Sequence, residues 1–177
     1  MATTTVRIEP RPEAWTESEW DKRLQLPPVV MLGGEVNALS VCRRLSSQGI
    51  TVFAIGRSNS PTRHSRFAEW VDVPGDATPQ SWASFLLSSQ SDSFRGAVLL
   101  AGCDDAIEVL AEHRDLLEQK YLLDDANPKA QLCMLDKLAT FRAAQSANVP
   151  TPRFWTPHSM DDVHAIRDEL VFPLILK

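Results

Sequence analysis

Between Pro28 and Gly56 the chain runs through a buried-type strand, a glycine pair, a helix, a single glycine and a second buried-type strand within about 30 residues. Val29–Leu32 is short, apolar and closed by Gly33-Gly34. Asn37 stands where a side chain can cap a helix over Ala38–Gln48, with Ala38, Val41, Cys42 and Leu45 on one face and Gly49 as its stop. Thr51–Ile55 follows as the next strand. Two strands joined this way must be parallel, because an antiparallel pair needs no helical crossover.

The alternation continues. A short strand is expected at Trp70–Val73, a helix at Pro79–Ser88, a buried strand at Ala97–Ala101 and a helix from Asp104 to Gln119. The last turns Ile107, Leu110, Ala111 and Leu117 inward and Asp104, Asp105, Glu108, Glu112 and Asp115 outward, with acids in the first turn where the helix dipole favours them. The pattern predicts an α/β fold, a doubly wound parallel sheet of Rossmann-like type, over residues 28–126. Residues 1–27 read as a lead-in arm with one short helix near Thr16–Leu24. From Asn127-Pro128 the character changes, and 127–177 reads as the start of a second domain. A helix is expected at Leu135–Ala147, then a break at Val149-Pro150-Thr151-Pro152, a strand at Arg153–Thr156, a helix opened by the capping-box form Ser159-Met160-Asp161-Asp162 and reaching about Leu170, and a buried strand at Phe172–Lys177.

Charge and composition narrow the partners. The net charge is −5, but residues 76–136 alone carry four Lys/Arg against eleven Asp/Glu. A nucleic-acid backbone requires a surplus of Lys/Arg, so none is expected as a partner. No apolar run reaches the ~18–20 residues of a membrane span, and the first residues lack the apolar segment of a signal peptide. A cytoplasmic protein is expected. Cys42, Cys103 and Cys133 are scattered without a CxxC pair, a pattern of buried apolar thiols rather than disulfides or a zinc site.

Three places carry polar groups at the expected carboxyl ends of strands, where such sheets bind ligands. Gly33-Gly34-Glu35-Val36-Asn37-Ala38 occupies the position of a phosphate loop. Its third place is Glu35 where a dinucleotide fingerprint requires glycine, and no acid ends the second strand to hold a ribose. A nicotinamide or flavin oxidoreductase is therefore disfavoured. The turn serves as a tight connection, or with Gly33, Gly34 and Asn37 it helps hold a small anionic substrate at a helix N-terminus. Arg57, Arg63, His64 and Arg66 lie in one loop, either as a solvated surface or with Arg57 and Arg66 receiving a carboxylate or phosphate. Cys103-Asp104-Asp105 opens a helix, and the carboxylates of Asp104 and Asp105 serve either that start or an amine or cation.

The order of the final third resembles the opening of the ATP-grasp superfamily: Leu135-Asp136-Lys137-Leu138 at a helix start, Val149-Pro150-Thr151-Pro152 as a break, then Phe172-Pro173-Leu174-Ile175-Leu176-Lys177 as a strand ending on lysine. Asn37-Ala38-Leu39-Ser40-Val41 and Ser65-Arg66-Phe67 look like the carboxylate–amine ligase branch that includes D-aspartate ligase. The likeness covers residues 28–177. It implies a complete pre-grasp domain followed by the first elements of an ATP-grasp domain, ATP and Mg²⁺ as cofactors, and a carboxylate joined to an amine (or a thiol) through an acyl-phosphate. Lys137 and Lys177 then match the two lysines that touch nucleotide phosphates, a role suited to a compact ammonium charge. The metal ligands and the flap over ATP are expected downstream of Lys177, so the chain reads as an N-terminal fragment inactive by itself. A homodimer is allowed. The alternatives are a non-catalytic α/β module binding a small anion or a partner, and a fragment of a carbamoyl-phosphate synthase-like or other ATP-grasp carboxylase.

Overall fold

A computed structural model describes residues 26–75 and 77–175. The predicted helix in the N-terminal arm lies outside them. The chain divides into two compact units, residues 1–136 and 137–177. In the first, β1 (Val29–Leu32), α1 (Val36–Ser46), β2 (Val52–Ile55), β3 (Glu69–Trp70), α2 (Pro79–Leu87), β4 (Val98–Ala101), α3 (Asp104–Glu112), α4 (Arg114–Leu117) and α5 (Pro128–Leu135) follow one another. 3₁₀ segments lie at Pro61–His64 and Ser89–Phe94, the second kinked at Ser91.

All pairings in the four-stranded sheet are parallel, in the order β3-β2-β1-β4. β1 is central, with Val29 opposite both Val52 and Val98 and Leu32 opposite both Ile55 and Ala101. Beyond β4, Leu122 adds a parallel bridge to Val98 through Leu99 N–H to Leu122 O and Leu122 N–H to Ala97 O, both 2.9 Å. Strand periodicity sorts the side chains onto two faces. Val30, Leu32, Ile55 and Leu99 join Trp82, Leu86, Val109 and Leu117 in a larger core beneath α2, α3 and α4. Met31 and Val52 join Ala38 and Cys42 in a smaller core beneath α1. A central strand covered on both faces has no polar side to offer, which is why Val29–Leu32 is buried throughout. Burial raises the Cys42 thiol pKa above its ordinary value, so this residue behaves as an apolar filler.

Several boundaries depart from the expectations. The predicted helix 104–119 breaks at His113 (φ −108°, ψ 15°), after which the short α4 directs Leu117 into the core, with buried Tyr121 following. Helix α5 is an addition. Asn127 Oδ1 accepts the Lys129 and Ala130 N–H groups (2.9 and 3.2 Å) and Pro128 takes the first helical position, an Asn-Pro start signal present in the sequence. α5 packs on α3, so the first compact unit reaches Asp136 rather than ending at 126. The predicted strand at Trp70–Val73 is reduced to β3, with only Val71 N–H continuing the ladder to Ala54 O.

In the second unit, the helix expected from Leu135 starts instead as α6 (Lys137–Ser146), since Asp136 is extended (φ −97°, ψ 111°). Asn148 (φ 56°) ends that helix in the left-handed region. Phe141 and Phe154 stack with centroids 5.3 Å apart. The capping box of α7 (Met160–Ala165) forms in full: Ser159 Oγ accepts the Asp162 N–H and Asp162 Oδ2 accepts the Ser159 N–H. Further N–H donation from His158 holds the Asp162 carboxyl below its ordinary pKa of 3.8. No strand forms at Arg153–Thr156. Residues 172–175 are not a buried strand either: Phe172 is 77% and Ile175 89% exposed. No strand runs beside them among the described residues, and a strand cannot form without a ladder partner for its backbone groups.

Candidate functional site

The sheet order 3-2-1-4 reverses direction between β1 and β4, and a cleft of about 530 Å³ opens at the carboxyl ends of these strands. This is the switch point where parallel α/β sheets bind ligands. Three turns build it: the β1–α1 turn, the segment after β2, and the β4–α3 turn.

The glycines are consumed by chain packing. Gly33 (φ 65°) and Gly34 (φ 90°) adopt left-handed conformations, and a Cβ on Gly34 would come within 2.6 Å of Gly102 O. A Cβ on Gly102 would sit equally close to Gly33 O, and one on Gly33 would collide with the Cys103 sulfur. Asn37 completes the junction: its Oδ1 accepts the Glu35 N–H (3.1 Å) and its Nδ2 donates to Gly102 O (2.8 Å). The expectation that Asn37 caps the helix is therefore corrected. The helix begins at Val36 with Glu35 at the cap position and no side-chain cap, because the Asn37 amide bridges the two turns instead. Ser60, buried, donates from Oγ to Gly34 O (3.0 Å) and ties in the third segment.

Polar groups line this scaffold. Arg57 Nη2 lies 2.7 Å from Asp105 Oδ2 across 48 positions of sequence, an ion pair between the β2 and β4 sides of the cleft. Its members are 61% and 38% exposed, so solvent weakens the pair and leaves both reachable. Glu35 and Asp104 add two exposed carboxylates. Buried Trp82 closes the floor. The start of α3, like that of α1, has no side-chain cap. Among the described residues no group of three or more His, Cys, Asp or Glu is arranged to hold a metal ion. The arrangement sets charges of both signs around an open, partly apolar pocket.

Of the residues singled out in the sequence, Gly33, Gly34, Asn37, Arg57 and Asp104 line this one cleft. Arg66 does not. Its guanidinium lies 5.0 Å over the Phe67 ring, while Arg63 pairs with Asp72 at 3.7 Å, so the basic loop divides rather than converging on one ligand. Lys137 is exposed at the first position of α6 in the second unit, and Lys177 lies outside the described residues. Asp105, the second carboxylate of the Cys103-Asp104-Asp105 turn, lines the cleft as well. Sequence reasoning missed Asn59, Ser60 and Trp82; Trp82 was not legible, since only packing brings a residue of α2 beneath Gly33.

No helix among the described residues is long and apolar enough to cross a membrane. No family model and no curated protein matches the sequence. Among solved structures, a "Biotin Carboxylase domain of single-chain bacterial carboxylase" is similar at 18% identity with a TM-score of 0.53, over 80% of this chain and 34% of that one. The present chain thus spans about a third of that chain's length. Over four fifths of its residues, the protein has the α/β fold found in that carboxylase domain.

Proposed function

We propose that the chain is the opening part of an ATP-grasp enzyme that activates a carboxylate as its acyl-phosphate and passes the acyl group to an amine. One observation carries this reading: the chain has the fold of a biotin carboxylase domain over 80% of its residues, and its sequence runs through Asp136-Lys137, Val149-Pro150-Thr151-Pro152 and Pro173-to-Lys177 in an order that resembles the ATP-grasp opening. The switch-point cleft takes a small substrate, and Lys137 and Lys177 hold nucleotide phosphates. Lys137 fits that task, because an exposed ammonium at the positive end of a helix is repelled by the dipole and gains from a bound anion. ATP, when bound, supplies the phosphoryl group that makes the carboxylate reactive; the chain's own residues contribute orientation and charge. Among the described residues no group of three or more His, Cys, Asp or Glu is arranged to hold a metal ion, and ligands for Mg²⁺ are expected beyond Lys177.

The test uses the protein that carries this chain. ATP hydrolysis should require both a carboxylate and an amine, and Lys177→Ala should abolish it while Lys137→Ala lowers it at least about tenfold. Undiminished hydrolysis in Lys177→Ala removes the phosphate role. The name of the structural neighbour favours a second reading, an ATP-dependent carboxylase. Hydrolysis stimulated by bicarbonate without added amine selects it.

A further inference from the structure

The arginines of the first unit have different fates. Arg57, Arg63, Arg95 and Arg114 each pair with a carboxylate. Arg43 and Arg44, exposed in the last turn of α1, and exposed Arg66 form no ion pair with another described residue. What gathers Arg43 and Arg66 is one partly buried ring: their guanidinium carbons lie 5.7 and 5.0 Å from the Phe67 centroid. Two like charges beside one ring repel each other, and a shared anion relieves that repulsion. Of the acids in the adjoining segment, Asp72 already takes Arg63 and the Trp70 indole N–H, which leaves Glu69 against three arginines.

This patch stands at the amino end of the sheet, whereas the cleft opens at the carboxyl ends of the strands. Glu69 is the register partner of Phe53, so Phe67, two residues earlier, precedes the start of β3. The last turn of α1 returns to the same end, because a crossover helix runs back along the strands it joins. The chain also enters β1 there, with Leu26 41% exposed just before it. Only β2 separates β1 from β3, a distance of about 10 Å at ordinary strand spacing.

We propose that residues 9–21 of this chain dock on the Arg43–Phe67–Arg66 patch as a strap across the amino end of the sheet and its β3 edge. Charge complementarity supports it. The segment carries Glu9, Glu13, Glu17, Glu19 and Asp21 against Arg11 alone, and carboxylates suit guanidinium groups that have donors to spare. Trp15 and Trp20, interleaved with these acids, add aromatic faces that attract a guanidinium. Reach is sufficient, since the five steps from Leu26 to Asp21 span up to about 17 Å when extended. Exposed ion pairs are weak singly, but a short tether gives the segment an effective concentration on the order of millimolar at the patch. The strap also shields an open sheet edge, which otherwise invites pairing with other chains.

Solution NMR of the full 177-residue chain reads both sides of this contact. Neutralising the segment (Glu13→Gln, Glu17→Gln, Glu19→Gln and Asp21→Asn together) should shift the Arg43 and Arg66 Nε–H signals and the Phe67 amide. Gly33, Gly34 and Gly102, at the opposite end of the sheet, should keep theirs. Arg43→Gln combined with Arg66→Gln should shift the Trp15 and Trp20 indole signals. Raising NaCl from about 20 mM to about 500 mM should move the wild-type signals toward those of the neutralised chain, as screening requires. All substituted positions are charged, and unchanged Val30 and Leu32 amides in the core separate a lost contact from a folding defect. Neutralised acids without effect on Arg43, Arg66 and Phe67 overturn the proposal. So do shifts that grow with protein concentration alongside a dimer in sedimentation, which assign the patch to a second copy. An equal shift of these signals on adding poly-glutamate to the wild-type chain also overturns it, because the patch is then open to an outside acidic partner.

Discussion

Lys120 shows how far one charge can be committed to structure. Its side chain is 10% exposed, and its ammonium donates to Ser88 O (2.7 Å) and Ser91 Oγ (2.8 Å) and pairs with Asp92 Oδ1 (2.8 Å). Ser91 is fully buried and also receives Tyr121 OH at 2.9 Å, while its own Oγ faces the Phe85 and Leu86 carbonyls at the end of α2. The cluster satisfies orphan carbonyls at a helix C-terminus, where positive charge is favourable. Lys120→Met should lower stability by about 2 kcal/mol in urea denaturation, because the Ser88 and Ser91 oxygens lose their charged donor. The hydrogen bond from Lys120 also holds the Asp92 carboxyl below its ordinary 3.8. A depressed carboxylate stabilises the fold above its unfolded pKa and loses that contribution as the pH falls through the folded value. The gap between wild type and Lys120→Met should therefore narrow below about pH 4 and stay constant from pH 5 to 8, checked by urea midpoints across that range.

At the scale of elements, the junction between the β1–α1 and β4–α3 turns decides whether the cleft exists. Gly34 combines φ 90° with a backbone oxygen 2.6 Å from where a Cβ would lie, and backbone cannot move aside as a flexible side chain can. Gly34→Ala should cost about 3 kcal/mol, measured by thermal unfolding. Gly49→Ala is the comparison: it shares a positive φ but meets nothing within 4 Å, so it should cost only about 1 kcal/mol and leave the cleft intact. A cost for Gly34→Ala no larger than that would show that the two turns are not locked together.

For the whole molecule, the core residues belong to the first unit and no described residue of 137–175 is buried. A polypeptide of residues 1–136 should accordingly fold by itself, with cooperative urea unfolding and the blue-shifted emission of buried Trp82. A broad, non-cooperative transition would show that the first unit depends on residues beyond Asp136. The acidic excess lies within this unit, so double-stranded DNA should fail to bind it at any salt concentration.

Much of the architecture was legible in the sequence because its signals are local. Apolar runs of strand length closed by glycine, the Ser159–Asp162 capping box and the alternation of strand and helix each depend on neighbours a few residues apart. The same locality explains the cleft residues that could be named in advance, since Gly33, Gly34, Arg57 and Asp104 all stand just after strands. What failed depended on distant partners. Phe172–Ile175 has the composition of a buried strand but, among the described residues, no neighbouring strand to complete its hydrogen bonds, and Asn37 has the chemistry of a helix cap but finds Gly102, 65 positions away. Local pattern decided that this chain would form a parallel α/β unit with glycine-containing, polar turns at one end of its sheet. Tertiary packing alone decided that Arg57 would meet Asp105, that Arg66 would turn to Phe67, and that three acids and one arginine would share one cleft, because side-chain partners are chosen by proximity in space, which a linear pattern does not encode.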